Sequence, residues 1–277
     1  MTTLDNPEIG ANVDVGGIRT NYIEAGDRAS FPLILIHGSG PGVTAFANWH
    51  GVIPRLSENY HVLAPDMLGF GYTDCPADIS DFTLDLWVNH IIGFMDALGI
   101  EQASFIGNSY GGALTLALAA RAPERVKRMV LMGSAGAFTV TKGLAEVWGY
   151  QPSAEAMRAL MKTFAYDSSL VTDKVVESRY QASIRPGAQE SFSRLFPEPR
   201  QERLDALVTP DDQLAKLTQR TLVVHGREDE VVPLAVSLHY AKVIPHSELH
   251  VFGECGHWTQ IEKRDRFLEV VIPFLAD

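Results

Sequence analysis

The sequence predicts an α/β fold: a mostly parallel central sheet with helices on both faces and a helical cap insertion. Three observations predict it. Short aliphatic runs that stop at glycine or a turn alternate with stretches of helical periodicity. The stretch 139–207 interrupts that alternation with helical segments alone. A serine flanked by glycines stands where a run of the first kind gives way to one of the second.

The strands come in order. Leu33 to His37 stops at Gly38, His61 to Ala64 at Pro65, Ala103 to Ile106 at Gly107, and Arg128 to Met132 at Gly133. Thr221 to His225 stops at Gly226 and Glu248 to Phe252 at Gly253. Each is short, β-branched or aliphatic and bounded by breakers, which is the pattern of a buried strand. Between them, Leu84, Trp87, Val88, Ile91, Met95 and Leu98 make one apolar helical stripe. Tyr110 to Ala122 is rich in alanine and leucine and ends at Pro123. Val236 to Ile244 and Arg264 to Leu275 also read as helices, as do Ser153–Phe164 and Val171–Ser183 within the insertion. Strands alternating with helices imply parallel pairing. The division is a core of 1–138 and 208–277 and a cap of 139–207 over the sheet's carboxyl edge, where open α/β sheets bind ligands.

Composition narrows the function. The chain has 277 residues, 46% hydrophobic and 21% charged, enough apolar side chain for a packed core. Its formal charge of −11 argues against nucleic acid or an acidic membrane surface as partner. Two cysteines, Cys75 and Cys255, give neither a disulfide framework nor a four-cysteine zinc site, and no metal is expected. No apolar run approaches the ~18 residues of a membrane span, and the first ten residues lack a secretory pattern, so the expectation is a cytoplasmic protein.

Gly107-Asn108-Ser109-Tyr110-Gly111 matches Gly-x-Ser-x-Gly between a strand and a helix. Exposing the serine oxygen there requires a reversal within one residue, and small neighbours allow it. A serine hydroxyl needs a base. Of nine histidines, His257 lies in a loop after the last strand and before the last helix, where the base of such enzymes falls. The acid is Asp229, just past a strand end and before Val231-Val232-Pro233, with Glu228 and Glu230 as rivals. The order Ser109, Asp229, His257 is that of an α/β-hydrolase fold. Backbone N–H groups of Ser39 and Tyr110 are the expected oxyanion donors. His37-Gly38-Ser39-Gly40 lacks the spacing of a nucleotide loop, and no cofactor is expected.

The motifs together resemble the meta-cleavage-product hydrolases, carbon–carbon bond hydrolases of bacterial aromatic degradation. The residues that carry the resemblance are His37 to Gly42 with Asn48 and Trp49, Gly107 to Gly112, Ala165 to Thr172, Arg179 to Ile184, Phe196 to Arg200 and Cys255 to Gln260. The branch acting on 2-hydroxymuconate semialdehyde and its 6-alkyl analogues is the nearest in pattern. The resemblance implies a small anionic dienoate as substrate and assembly into a homo-oligomer. It implies that Arg179 grips the substrate carboxylate, with Arg185 as rival, because a guanidinium matches a carboxylate bidentately. It further implies that Asn48 and Asn108 orient the dienoate and that Trp258 and Trp148 line its pocket. An ordinary carboxylesterase and a slow-turnover small-molecule receptor are the competing readings of the same scaffold.

Overall fold

The computed structural model describes residues 6–79 and 81–276. Eight strands form one sheet: β1 (Ala11–Val15), β2 (Ile18–Ala25), β3 (Pro32–Ile36), β4 (His61–Pro65), β5 (Ala103–Asn108), β6 (Val126–Met132), β7 (Arg220–Gly226) and β8 (Ser247–Phe252). Their order is β1-β2-β4-β3-β5-β6-β7-β8. From β4 to β8 every pairing is parallel, and β1 and β2 add antiparallel to the β4 edge.

The six expected strands are all present. β1 and β2 fall outside that expectation. Their sequence mixes polar and apolar residues and is partly exposed, so aliphatic runs do not announce them. The turn between them is Gly16-Gly17, with φ of 61° and 90° at the two glycines. That dipeptide, which supplies the positive φ a tight hairpin needs, was the available signal.

Thirteen α-helices are found among the described residues. α1 (Ala45–Trp49), α2 (Ile53–Leu56), α3 (Leu84–Ala97) and α4 (Tyr110–Arg121) belong to the first half of the sheet. α5 (Lys142–Trp148), α6 (Ala154–Phe164), α7 (Asp173–Ser183), α8 (Ala188–Leu195) and α9 (Arg200–Asp205) all lie between β6 and β7. α10 (Asp211–Leu214), α11 (Leu234–Val243), α12 (Thr259–Glu262) and α13 (Arg264–Ala276) complete the chain. None of these helices is long and apolar enough to cross a membrane.

Side chains alternate across the sheet and build two cores. Ile34, Ile36, Phe105, Leu131 and Val223 face α3, α4 and α11. Leu33, Leu35, Ile106, Val130, Met132 and Val224 face α1, α2 and α13. α5 and α6 add Leu144, Trp148, Met157, Leu160 and Phe164 to the first of these cores, so the insertion shares apolar packing with the sheet. Polar ties hold it at the carboxyl edge. Thr141 Oγ1 donates to the Val231 carbonyl at 2.8 Å, and Asp167 N–H donates to Glu262 Oε2 at 2.9 Å.

Candidate active site

Ser109 stands between β5 and α4 with φ 54° and ψ −117°. A non-glycine residue there is strained by about 1–3 kcal/mol, and the surroundings must hold it. They do so through the backbone. The Ser109 N–H donates to the Met132 carbonyl at 2.8 Å, and its own carbonyl accepts from Gly112 and Ala135, both at 3.0 Å. Close approach explains the flanking glycines. A Cβ at Gly107 would lie 2.5 Å from the Gly111 carbonyl oxygen, and one at Gly111 would lie 2.3 Å from that of Ile36.

Asp229 and His257 meet at the carboxyl ends of β7 and β8. His257 Nδ1 donates to Asp229 Oδ2 at 2.7 Å. The carboxylate can only accept, so Nδ1 carries the proton and Nε2 is left with a lone pair. Asp229 Oδ1 accepts from the N–H groups of Val231 and Val232 at 2.8 and 2.9 Å. Burial pushes the Asp229 carboxyl up, but His257, His225 and the Val232 N–H outweigh it and hold it below the usual carboxylate value. The His257 backbone is anchored to the insertion, its N–H donating to the Phe164 carbonyl at 2.7 Å. The Phe164 ring stacks on both His257 and Trp258. Of the rival acids, Glu228 accepts from Cys255 N–H at 3.0 Å instead, and Glu230 is exposed.

Ser109, His257, Asn108, Asn48 and Trp258 line one cavity of about 1020 Å³ between insertion and sheet edge. Ser39 also lines it, and its N–H and that of Tyr110 have no acceptor among the described residues. Asn48 Oδ1 accepts from Gly38 N–H at 3.0 Å, while its Nδ2 is buried without a partner among the described residues. Asn108 Nδ2 donates to the Met132 carbonyl at 3.3 Å. His37 braces the same loop: Nε2 accepts from Met67 N–H at 3.0 Å, so Nδ1 donates to the Gly38 carbonyl at 2.7 Å. Burial pulls the His37 pKa down to about 4 despite that bond, which keeps the ring neutral.

One expected pocket residue lies elsewhere. Trp148 does not line the cavity; it stacks on Phe196 at 4.2 Å between centroids and donates Nε1–H to Ser39 Oγ at 3.0 Å. The indole fills the aromatic core behind the Ser39 loop and so supports the wall without forming it. The Tyr110 phenol does not line the cavity either. It points into Phe70, Trp87 and Phe196, and its hydroxyl is buried without a partner among the described residues.

The charge on the wall runs against the charge of the chain. Lys174, Arg179, Arg185 and Arg264 line the cavity, and Glu8 is its one carboxylate among the described residues. Arg179 is ion-paired with Glu8 and also donates to the Gly42 carbonyl at 3.4 Å. Arg185 has no carboxylate partner among the described residues. Its guanidinium donates to the carbonyls of Ala182 and Gly71, both at 3.1 Å, and lies 3.8 Å over the Tyr72 ring. Sequence reasoning missed Phe164 and Glu8. Each acts through contacts that cross some 90 or more positions, and no local pattern marks either.

Fold and site define an α/β hydrolase, and the model of the alpha/beta hydrolase fold family matches residues 32–264. A 2-hydroxymuconate semialdehyde hydrolase of Pseudomonas sp. strain CF600 is 55% identical over 99% of this chain and 96% of its own. A 2-hydroxy-6-oxo-2,4-heptadienoate hydrolase of Pseudomonas putida F1 is 51% identical over 100% and 99%. The solved structure of the meta-cleavage product hydrolase CumD from Pseudomonas fluorescens IP01 superposes with a TM-score of 0.96 at 56% identity, covering 98% of this chain and 99% of that one. The chain belongs to the meta-cleavage product hydrolases of the α/β-hydrolase family.

Proposed function

We propose that the protein hydrolyses a carbon–carbon bond in 2-hydroxy-6-oxo-hexa-2,4-dienoate-type ring-fission products. The products are 2-hydroxypenta-2,4-dienoate and a short carboxylic acid. The observation that carries this reading is the cavity: a net −11 chain presents four cations beside a serine held in a strained bend. An ester hydrolase has no need of that inverted field, whereas an anionic substrate does. Residues 139–207 act as the lid over this cleft.

Ser109 is the nucleophile, His257 the base and Asp229 the group that orients it. The dienol first tautomerises to its keto form, moving a proton to carbon 5 and creating the electron sink that cleavage needs. Ser109 Oγ then adds to the ketone at carbon 6 as His257 Nε2 takes its proton. The N–H groups of Ser39 and Tyr110 receive the oxyanion. The bond between carbons 5 and 6 breaks, and the proton held by His257 goes to the departing dienolate. Water, deprotonated by the same imidazole, releases the acid from Ser109. Asn48 and Asn108 bound the cavity at the dienoate, and Trp258 forms its wall.

The carboxylate is assigned to Arg179, with Arg185 as the rival, because a guanidinium matches a carboxylate bidentately. Both line the cavity: Arg179 is paired with Glu8, and Arg185 is positioned by two carbonyls and the Tyr72 ring. The test is a comparison of kcat/KM for a yellow ring-fission dienoate and a neutral aryl ester. The dienoate is expected to be the better substrate, and Arg179→Gln to lower turnover of the dienoate far more than that of the ester. A faster ester would make the protein a carboxylesterase.

A further inference from the structure

Two imidazoles face the carboxylate of Asp229, and the proposed reaction uses only one of them. His257 Nδ1 stands 2.7 Å from Oδ2, and His225 Nε2 stands 3.5 Å from the same atom. His225 lies in β7, shortly before Asp229, and its side chain is fully buried. Its ring is fixed from both sides. Nε2 meets the Val232 carbonyl at 3.0 Å, and a carbonyl can only accept, so the proton is on Nε2. Nδ1 therefore accepts from the Ser237 hydroxyl of α11 at 2.7 Å. Val232 is also the residue whose N–H donates to Asp229 Oδ1 at 2.9 Å. It is thus held at its N–H by Asp229 and at its carbonyl by His225. With its proton committed to Val232, and at 3.5 Å from Oδ2, His225 does not displace His257 from the carboxylate. Burial holds the His225 ring below the ordinary histidine value against the pull of Asp229 and the Val232 carbonyl. The ring therefore brings no second positive charge to compete with the imidazolium that forms on His257.

Resting on the triad assigned above, we propose that His225 is a positioning residue for the acid: locked by Ser237, it clamps the 229–232 turn to the end of β7 and so aims Asp229 Oδ2 at His257. The two N–H groups on Oδ1 do not supply this aim, because Val231 and Val232 belong to the same turn and move with it. Thr141 ties the Val231 carbonyl to the insertion, and His225 ties the Val232 carbonyl to the sheet. A base works only while its orienting carboxylate keeps the imidazole in place, so a loosened turn costs turnover rather than binding.

The test uses the full chain and two substrates, a yellow ring-fission dienoate and a neutral aryl ester, because a group acting through the triad serves both. His225→Leu removes the donor and should lower kcat about tenfold on each with KM within about twofold, a smaller loss than the roughly 10⁴-fold of converting the acid itself to an amide. His225→Gln, whose amide nitrogen reaches the place of Nε2, should recover kcat to within about threefold of native. His225→Asn, whose nitrogen falls one carbon short, should not. The downfield proton resonance of the His257 Nδ1–H bonded to Asp229 should persist in His225→Gln and move upfield or vanish in His225→Leu. Ser237→Ala unlocks the ring with little change of volume, and should shift kcat and the resonance in the same direction by less. It decides the matter if His225→Leu does not fold. Native kcat and an unmoved resonance in either of these two variants would overturn the assignment. So would equal losses in the glutamine and leucine variants, which would reduce His225 to packing. A native protein that cleaves the ester but not the dienoate would end the carbon–carbon reading alone, and the same variants would then decide the role of His225 on the ester.

Discussion

At the scale of the residue, the polar groups of the site fall into those that are satisfied and those that are not. Asp229 has three hydrogen bonds and is held rigidly. Tyr110, next to Ser109, has a hydroxyl buried among aromatic rings with no partner among the described residues. Burial pushes its phenol well above the ordinary tyrosine value. A buried hydroxyl without a partner costs about 1–3 kcal/mol. Tyr110→Phe is therefore expected to be neutral to stabilising, by up to about 1 kcal/mol in denaturant unfolding, with kcat within twofold of native. A loss of more than 1 kcal/mol would mean that the hydroxyl has a partner in solution. The side chains whose roles depend on local context were legible from sequence. The Gly-x-Ser-x-Gly bend and the loop position of His257 are examples. Partnerships made across the fold, such as that of Glu8 with Arg179, were not, because nothing in either neighbourhood encodes the other.

At the scale of the element, the insertion does more than cover the cleft. α6 ends at Phe164, whose carbonyl fixes His257 and whose ring flanks it. α5 ends at Trp148, whose N–H holds the Ser39 hydroxyl. The helices of the insertion thus brace both His257 and the Ser39 loop. Trp148→Phe keeps the stack on Phe196 and removes only the N–H. It should lower kcat about tenfold, less than the 10²–10³ for deleting an oxyanion donor outright, with KM little changed. A rise in KM at constant kcat would instead place the indole against the substrate. The parallel strands and amphipathic helices were readable because each buries a face of one period. The β1–β2 hairpin was hidden because its strands mix polar and apolar residues and are partly exposed, and only the Gly16-Gly17 turn marks it. That Trp148 belongs to the core and not to the cavity wall depends on how α5 lands on the sheet, which periodicity does not fix.

At the scale of the molecule, buried imidazoles set the response to acid. His37 and His90 are both pulled down to about 4 by burial. In the unfolded chain each takes up a proton near 6.5, so between about pH 6.5 and 4 the unfolded state binds more protons. Stability is therefore unaffected by these groups above pH 6.5 and falls as pH drops toward 4, by up to about 3 kcal/mol for each histidine. Asp66 works the other way. Burial pushes its carboxyl up to about 6 against the hydrogen bonds it receives, so the folded state binds the extra proton between about pH 6 and 4. Two histidines outweigh one aspartate, and thermal unfolding should show a Tm that declines on acidification through this window. A flat or rising Tm would mean that these rings are hydrated or charged in the folded protein.

The proposed function requires Ser109 to be the group that attacks the ketone. The most direct measurement is stopped-flow absorbance of a yellow ring-fission dienoate mixed with the native protein and with Ser109→Ala. The variant is expected still to perturb the chromophore with a Kd within a few-fold of native, while its cleavage rate falls by at least about 10³-fold. A variant that cleaves the dienoate within tenfold of the native rate would contradict it.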